Sequence, residues 1–152
     1  MKYAFLFAFL FSFSAARSQV YFKYDYRDCA PGDYCMYCGD EVARPTVNLA
    51  KYLQRELDRN MFEYNGQGRK IMYQVYIDSD GKLCVISADN HFNNRMLRND
   101  LRAVLNHMPN WTPARKDGHA IGSGIVIEFT FYKDYFDVRY ISRPRKTDGR
   151  VI

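Results

Sequence analysis

Four cysteines are the residues of this chain best suited to chemistry: Cys29, Cys35, Cys38 and Cys84. Their even number fits two disulfide bonds, which are typical of exported proteins, and three pairings are possible. The short spacing of Cys35 and Cys38 is also that of a redox-active pair, and cysteine is a ligand that zinc prefers. The cysteines therefore predict structural disulfides, with a thiol-redox or metal-binding protein using the Cys35–Cys38 pair as the alternative.

Other kinds of chemistry lack a matching pattern in the sequence. The three histidines, His91, His107 and His119, are spread along the chain and do not repeat at a ligand spacing. No set of Ser, His and acid, no Gly-rich phosphate loop and no carboxylate pair stands out. We therefore expect no catalytic residue, no metal and no cofactor.

The N-terminal segment has the order of a secretory signal peptide. Met1 and Lys2 are followed by an uncharged, phenylalanine-rich run from 3 to 13 and then by small residues up to Ser18. The apolar run is shorter than the roughly 18 to 20 residues that a membrane-spanning helix needs, and no later run comes closer. We therefore expect residues 1–18 to be cleaved, and the mature protein to be periplasmic or secreted without a membrane span.

The charge balance argues against nucleic acid as a partner. The 152 residues include 22 Lys and Arg against 17 Asp and Glu, and removal of residues 1–18 leaves 20 against 17, a net charge of +3. Such a small excess with interspersed acids is a weak electrostatic footprint, and an exported chain rarely meets DNA. The length allows one compact domain with extensions and argues against a multidomain enzyme.

Hydrophobic periodicity predicts five elements in the middle of the chain. Apolar residues recur at helical spacing in two segments and alternate with polar residues in three others. The turn signal Asp78-Ser79-Asp80-Gly81 joins the first two strands as an antiparallel hairpin. In order, the elements are a helix from 45 to 60, strands from 70 to 78 and 82 to 88, a helix from 92 to 108, and a strand from 124 to 132.

This order predicts an α+β fold, α-β-β-α-β, with two helices packed on one face of a three-stranded antiparallel sheet. Each element has one apolar face, and this packing buries all of them. The domain would span 45–132. Before it lies an irregular, Cys-bearing leader from 19 to 44, and after it a basic tail from 133 to 152.

The connection between the second helix and the last strand has the most specific pattern. It reads Met108-Pro109-Asn110-Trp111-Thr112-Pro113-Ala114 and is followed by Gly118. Together with the hairpin before it, this connection resembles the TonB C-terminal domain, the periplasmic end of the energy transducer that serves outer-membrane transporters. The resemblance covers residues 47 to 131, and its motif residues are Pro109, Trp111, Pro113 and Gly118.

The resemblance implies a non-enzymatic domain that binds a short extended peptide, the TonB box of a transporter, beside an edge strand. The partner would be an envelope protein or a TonB-box-like peptide, and an exposed edge would also permit a homodimer. A full transducer has a membrane anchor and a Pro-rich span, whereas this chain has a cleavable signal and a short leader, so force transduction is not implied. The implied partner-binding residues are those of the last strand: Ile125, Val126, Ile127, Glu128, Phe129, Thr130, Phe131 and Tyr132.

Overall fold

The computed structural model describes residues 20–32, 34–57, 68–91, 95–132 and 135–141. The expected signal peptide with its cleavage at Ser18 lies outside these residues, as does the end of the basic tail from 142 to 152. The described residues form eight strands and two helices: β1 (Tyr24–Asp25), β2 (Cys35–Met36), α1 (Leu49–Glu56), β3 (Arg69–Ile77), β4 (Leu83–Asn90), α2 (Arg95–Asn106), β5 (Ala114–Lys116), β6 (His119–Ile121), β7 (Ser123–Phe131) and β8 (Phe136–Ile141).

The main sheet has six strands, so the predicted fold class with a three-stranded sheet is wrong. The strand order is β1-β4-β3-β7-β2, and β8 also pairs with β7. Because β2 runs parallel to β7 and the other pairs are antiparallel, the sheet is mixed. β5 and β6 form a separate hairpin. Strands of two or three residues are too short to show alternation, which is why periodicity did not reveal β1, β2, β5 or β6.

Both predicted extensions contribute to this sheet. The leader from 19 to 44, expected to be irregular, supplies β1 and β2, and the tail from 133 to 152 supplies β8. In β8, Phe136, Val138 and Tyr140 alternate with Asp137 and Arg139. The strand signal was therefore present, but the basic composition of the following residues favoured the interpretation of a solvated end.

The five elements predicted from periodicity are all present, with shifted ends. β3 and β4 form the predicted hairpin, and Gly81 in its turn has φ +82°. α1 begins at Leu49 because Asn48 caps it: the side-chain oxygen of Asn48 accepts a hydrogen bond from the backbone N of Lys51 at 3.0 Å. Pro45, predicted to be the first helical residue, lies before this cap.

The core forms where the helices meet the sheet. Leu53 of α1 and Leu101 and Leu105 of α2 are fully buried together with alternate residues of the central strands. In β7 these are Ile125, Ile127, Phe129 and Phe131, each at most 2% exposed. α2 packs against β4, towards one edge strand of the sheet, and α1 packs near β8, towards the opposite edge.

The leader covers part of the opposite face of the sheet, where it surrounds the buried side chain of Gln74. The Gln74 Oε1 atom accepts hydrogen bonds from the backbone N of Tyr21 at 2.9 Å and from the Ser87 hydroxyl at 2.6 Å. The Gln74 Nε2 atom donates to the Tyr34 hydroxyl at 2.9 Å. A buried amide is tolerated when its polar atoms are bonded, so these contacts fix the path of the leader.

Two stacked arginines hold the leader against α2. The guanidinium carbon of Arg98 lies 3.6 Å from the ring centroid of Tyr24, and that of Arg102 lies 4.0 Å from the centroid of Tyr26. Arg102 also forms an ion pair with Asp28. Desolvated contacts of a cation with an aromatic ring are each worth up to about 2 kcal/mol. The leader is therefore an integral part of the fold.

Candidate functional site

The strand predicted to receive a partner is an interior strand. One side of β7 pairs with β3 from Ser123 to Phe131. On its other side, β2 pairs with Ser123 and Gly124, and β8 pairs with residues 126–131. The prediction that residues 125–132 form an open edge is therefore wrong, because the chain's own leader and tail occupy that edge.

The side chains of the expected partner-binding residues are buried or make contacts within the protein. Val126 and Thr130 are buried, and Glu128 accepts a hydrogen bond from the Lys70 ammonium at 3.0 Å. The backbone N of Tyr132 donates to the carbonyl oxygen of Tyr135 at 2.8 Å and closes the β7–β8 hairpin. A partner could reach these residues only by displacing β8.

Among the described residues, the outer side of β8 is one edge of the sheet that remains open. In an antiparallel ladder, hydrogen-bonded and non-bonded pairs alternate. Counting from the bonded Tyr132–Tyr135 pair, the backbone groups of Asp137, Arg139 and Ile141 face β7, whereas those of Val138 and Tyr140 point away from it. The described part of the chain places no strand on that outer side.

An open groove of about 390 Å³ lies beside this edge, between β8 and the start of α1. Its lining includes the apolar residues Pro45, Val47, Leu49 and Val138, Tyr140 at 44% exposure, and the polar residues Arg44 and Asn48. Val138 and Tyr140 lie opposite the core residues Phe129 and Ile127 in the ladder, so they are on the helix-facing side of the sheet. A strand added to β8 would direct alternate side chains into this groove.

The other face of β8 carries two opposite charges. The Arg139 Nε atom donates to the Asp137 carboxylate at 2.9 Å; the Arg139 side chain is largely exposed and that of Asp137 is partly exposed. Such a surface pair contributes little to stability. Side chains directly opposite each other on neighbouring strands do interact, so these two charges would influence which residues fit on an added strand.

The residues of the motif from 109 to 118 have structural positions. Trp111 is 2% exposed, and its backbone N donates to the carbonyl oxygen of Gly81 at 2.7 Å. A Cβ atom at Gly81 would overlap the Trp111 carbonyl oxygen, so glycine is required there for close approach as well as for its positive φ. Pro113 is half-buried, Pro109 is exposed, and Gly118 with φ +78° forms the β5–β6 turn.

All four cysteines form disulfide bonds, one between Cys29 and Cys84 and one between Cys35 and Cys38. The first joins the leader to β4 across a sequence separation of 55. Closing a loop of this length in the unfolded chain stabilises the folded state by about 4 kcal/mol. The second spans a separation of 3, and the same relation gives about 2 kcal/mol. In this state the sulfur atoms are bonded to each other, so they are not available as thiolate ligands for a metal ion.

Several tyrosines have a raised pKa, and burial of the side chain is the main cause in each. Burial raises the pKa of Tyr37 to about 12, with a further contribution from Tyr21. It raises the pKa of Tyr73 well above its usual value, and the Tyr73 hydroxyl donates to the carbonyl oxygen of Arg98 at 2.5 Å. These groups belong to the core and the leader, so they bear on stability and not on the β8 edge.

Comparisons of the chain with models of protein families, with characterised proteins and with solved structures find no match. Within the described residues, no helix is long and apolar enough to cross a membrane. The two disulfides are typical of a protein that folds in an oxidising compartment outside the cytoplasm.

Proposed function

We propose that this chain is an exported binding module that takes up an extended segment of another envelope protein as an additional strand beside β8. The observation that carries the proposal is the outer edge of β8, on which the described residues place no strand. Strand addition needs little side-chain chemistry, because unpaired backbone groups provide affinity and alternate side chains provide selectivity.

The surroundings of the edge specify the kind of segment that fits. Residues of the added strand opposite Val138 and Tyr140 would point towards the groove, whose Pro45, Val47 and Leu49 favour apolar side chains. Residues between them would lie on the face of Asp137 and Arg139. A cation opposite Asp137 and an anion opposite Arg139 would be favourable, so the partner segment alternates apolar and charged residues.

The resemblance to the TonB C-terminal domain supports the same type of interaction one strand further out. The order α1, β3, β4, α2, β7 and the Trp111 connection are the features that carry it. On this proposal the signal peptide directs the chain to the periplasm, and the bound segment belongs to a protein linked to outer-membrane transport.

Peptide binding to two variants at one position tests the proposal. Val138→Pro removes an outward N–H, which an edge strand tolerates because that group makes no bond to β7. Val138→Thr keeps the N–H and nearly the same shape, and is the matched control. The probes are synthetic TonB-box peptides, an extended peptide alternating Val with Glu and Lys, and a scrambled version of each.

We expect at least one extended peptide to bind the wild type and the Thr variant, and to bind the Pro variant about tenfold more weakly or not at all. Equal binding to both variants, or no binding by any extended peptide, would overturn the proposal. Sedimentation of the free protein provides a further check. A dimer that is lost in the Pro variant would mean that the edge serves self-assembly instead.

A further inference from the structure

We propose that the Cys35–Cys38 disulfide is a thiol–disulfide exchange site that oxidises a pair of thiols on a partner protein. This role is separate from strand addition at β8. The two disulfides of the chain differ in exposure: Cys29 is 7% exposed and Cys84 is half-buried, whereas Cys35 is exposed and Cys38 is half-buried. An attacking thiolate must reach a sulfur atom, so the second bond is the accessible one.

The short loop closed by this bond also argues against a purely structural role. The Cys35–Cys38 link spans a sequence separation of 3, against 55 for Cys29–Cys84. A cross-link that closes a short loop removes less entropy from the unfolded chain. Exposed bonds of this kind are the ones that are labile or catalytic.

One of the two residues between the cysteines, Tyr37, has a backbone conformation that is unusual for its type. Tyr37 has φ +60°, in the left-handed region that side chains larger than glycine rarely adopt. Strain of this kind persists only where surrounding contacts impose it, and it is concentrated at functional positions. The turn that carries the disulfide is therefore held in place by the rest of the fold.

Contacts from β7 hold both cysteines without help from the S–S bond. The backbone N of Tyr37 donates to the carbonyl oxygen of Gly124 at 2.8 Å, and that of Cys38 donates to the Ser123 hydroxyl at 3.1 Å. Cys35 itself belongs to β2, which pairs with β7. Because these bonds do not depend on the oxidation state, we expect the reduced form to stay folded with its thiols close together.

The exchange proceeds in two steps, and its electrons balance. A thiolate of the partner attacks the exposed Cys35 Sγ, the Cys35–Cys38 bond breaks, and Cys38 leaves as a thiolate that takes up a proton. The second partner thiolate then attacks the partner sulfur of the mixed disulfide, and Cys35 leaves as a thiolate and is protonated. The partner gains a disulfide, and the protein gains two thiols.

Reduction of the full mature protein at a series of dithiothreitol concentrations tests whether the Cys35–Cys38 bond is the more accessible one. Thiol alkylation followed by peptide mass analysis identifies the reduced cysteines. We expect Cys35 and Cys38 to become alkylated at about tenfold lower reductant than Cys29 and Cys84, with unchanged circular dichroism. Reduction of both bonds together, reduction of Cys29–Cys84 first, or loss of fold when only Cys35–Cys38 opens would overturn the proposal.

Two single variants test which sulfur is attacked. Cys38→Ser leaves the Cys35 thiol, and Cys35→Ser leaves the Cys38 thiol. The probe is oxidised glutathione, and we expect the Cys35 thiol to form its mixed disulfide about tenfold faster because it is more exposed. Equal rates or a faster Cys38 would contradict the assigned attack. Gln54→Leu, on the exposed face of α1, should leave these rates unchanged.

Discussion

Single buried residues explain how the leader is fixed to the sheet, and Gln74 is the clearest of them. Gln74→Leu would keep the volume but remove the partners of the Ser87 and Tyr34 hydroxyls. Leaving buried polar groups unsatisfied should lower the free energy of unfolding by about 1 to 3 kcal/mol. Urea unfolding measures this loss, and Gln54→Leu on the exposed face of α1 is the matched control. Equal stability of the two variants would show that Gln74 does not secure the leader.

Tyr37 gives a prediction for alkaline pH. Its pKa is raised from 10.0 to about 12 by burial, so between these values the unfolded chain releases the proton while the folded chain keeps it. Stability should therefore fall as pH rises through this window. Tyr37→Phe should weaken the pH dependence of urea unfolding above about pH 9, whereas the exposed-residue control Tyr135→Phe should not. Identical pH slopes for wild type and Tyr37→Phe would contradict the assignment.

At the scale of elements, the sequence predicted the elements that are long and periodic. α1, α2, β3, β4 and β7 each show a clear apolar face, and the turn at Gly81 was recognisable. The predicted edge is misplaced by one strand because the residues of β8 lie in a segment whose basic composition favours a tail. The pairings of β1 and β2 depend on contacts distant in sequence, such as Gln74 with Tyr34, which no local pattern reports.

Truncation tests the structural role assigned to β8. A chain ending at Tyr132 would lose Phe136 from the core and leave the β7 backbone groups at Val126, Glu128 and Thr130 without partners. We expect it to be less stable by about 2 to 5 kcal/mol and to self-associate. A chain ending at Ile141 keeps β8 and should match the full mature chain in urea unfolding and sedimentation. A fully stable monomer ending at Tyr132 would refute this role.

At the scale of the whole molecule, the leader and the tail add strands to the sheet of a central α-β-β-α-β unit. The Cys29–Cys84 bond ties the leader to β4, and the β7–β8 hairpin adds the last strand. Native sheets commonly protect their edges, and here β7 is protected while the outer side of β8 is left without a strand from the described residues. The groove beside that edge is the place where we propose that the added segment binds.

Amide hydrogen exchange of the mature protein, followed by NMR with and without a bound extended peptide, tests strand addition at β8. We expect the amides of Val138 and Tyr140 to exchange about tenfold more slowly in the complex, while the amide of Arg139, already bonded to β7, changes little. Protection gained along β7 or at another surface, with Val138 and Tyr140 unchanged, would contradict strand addition at β8.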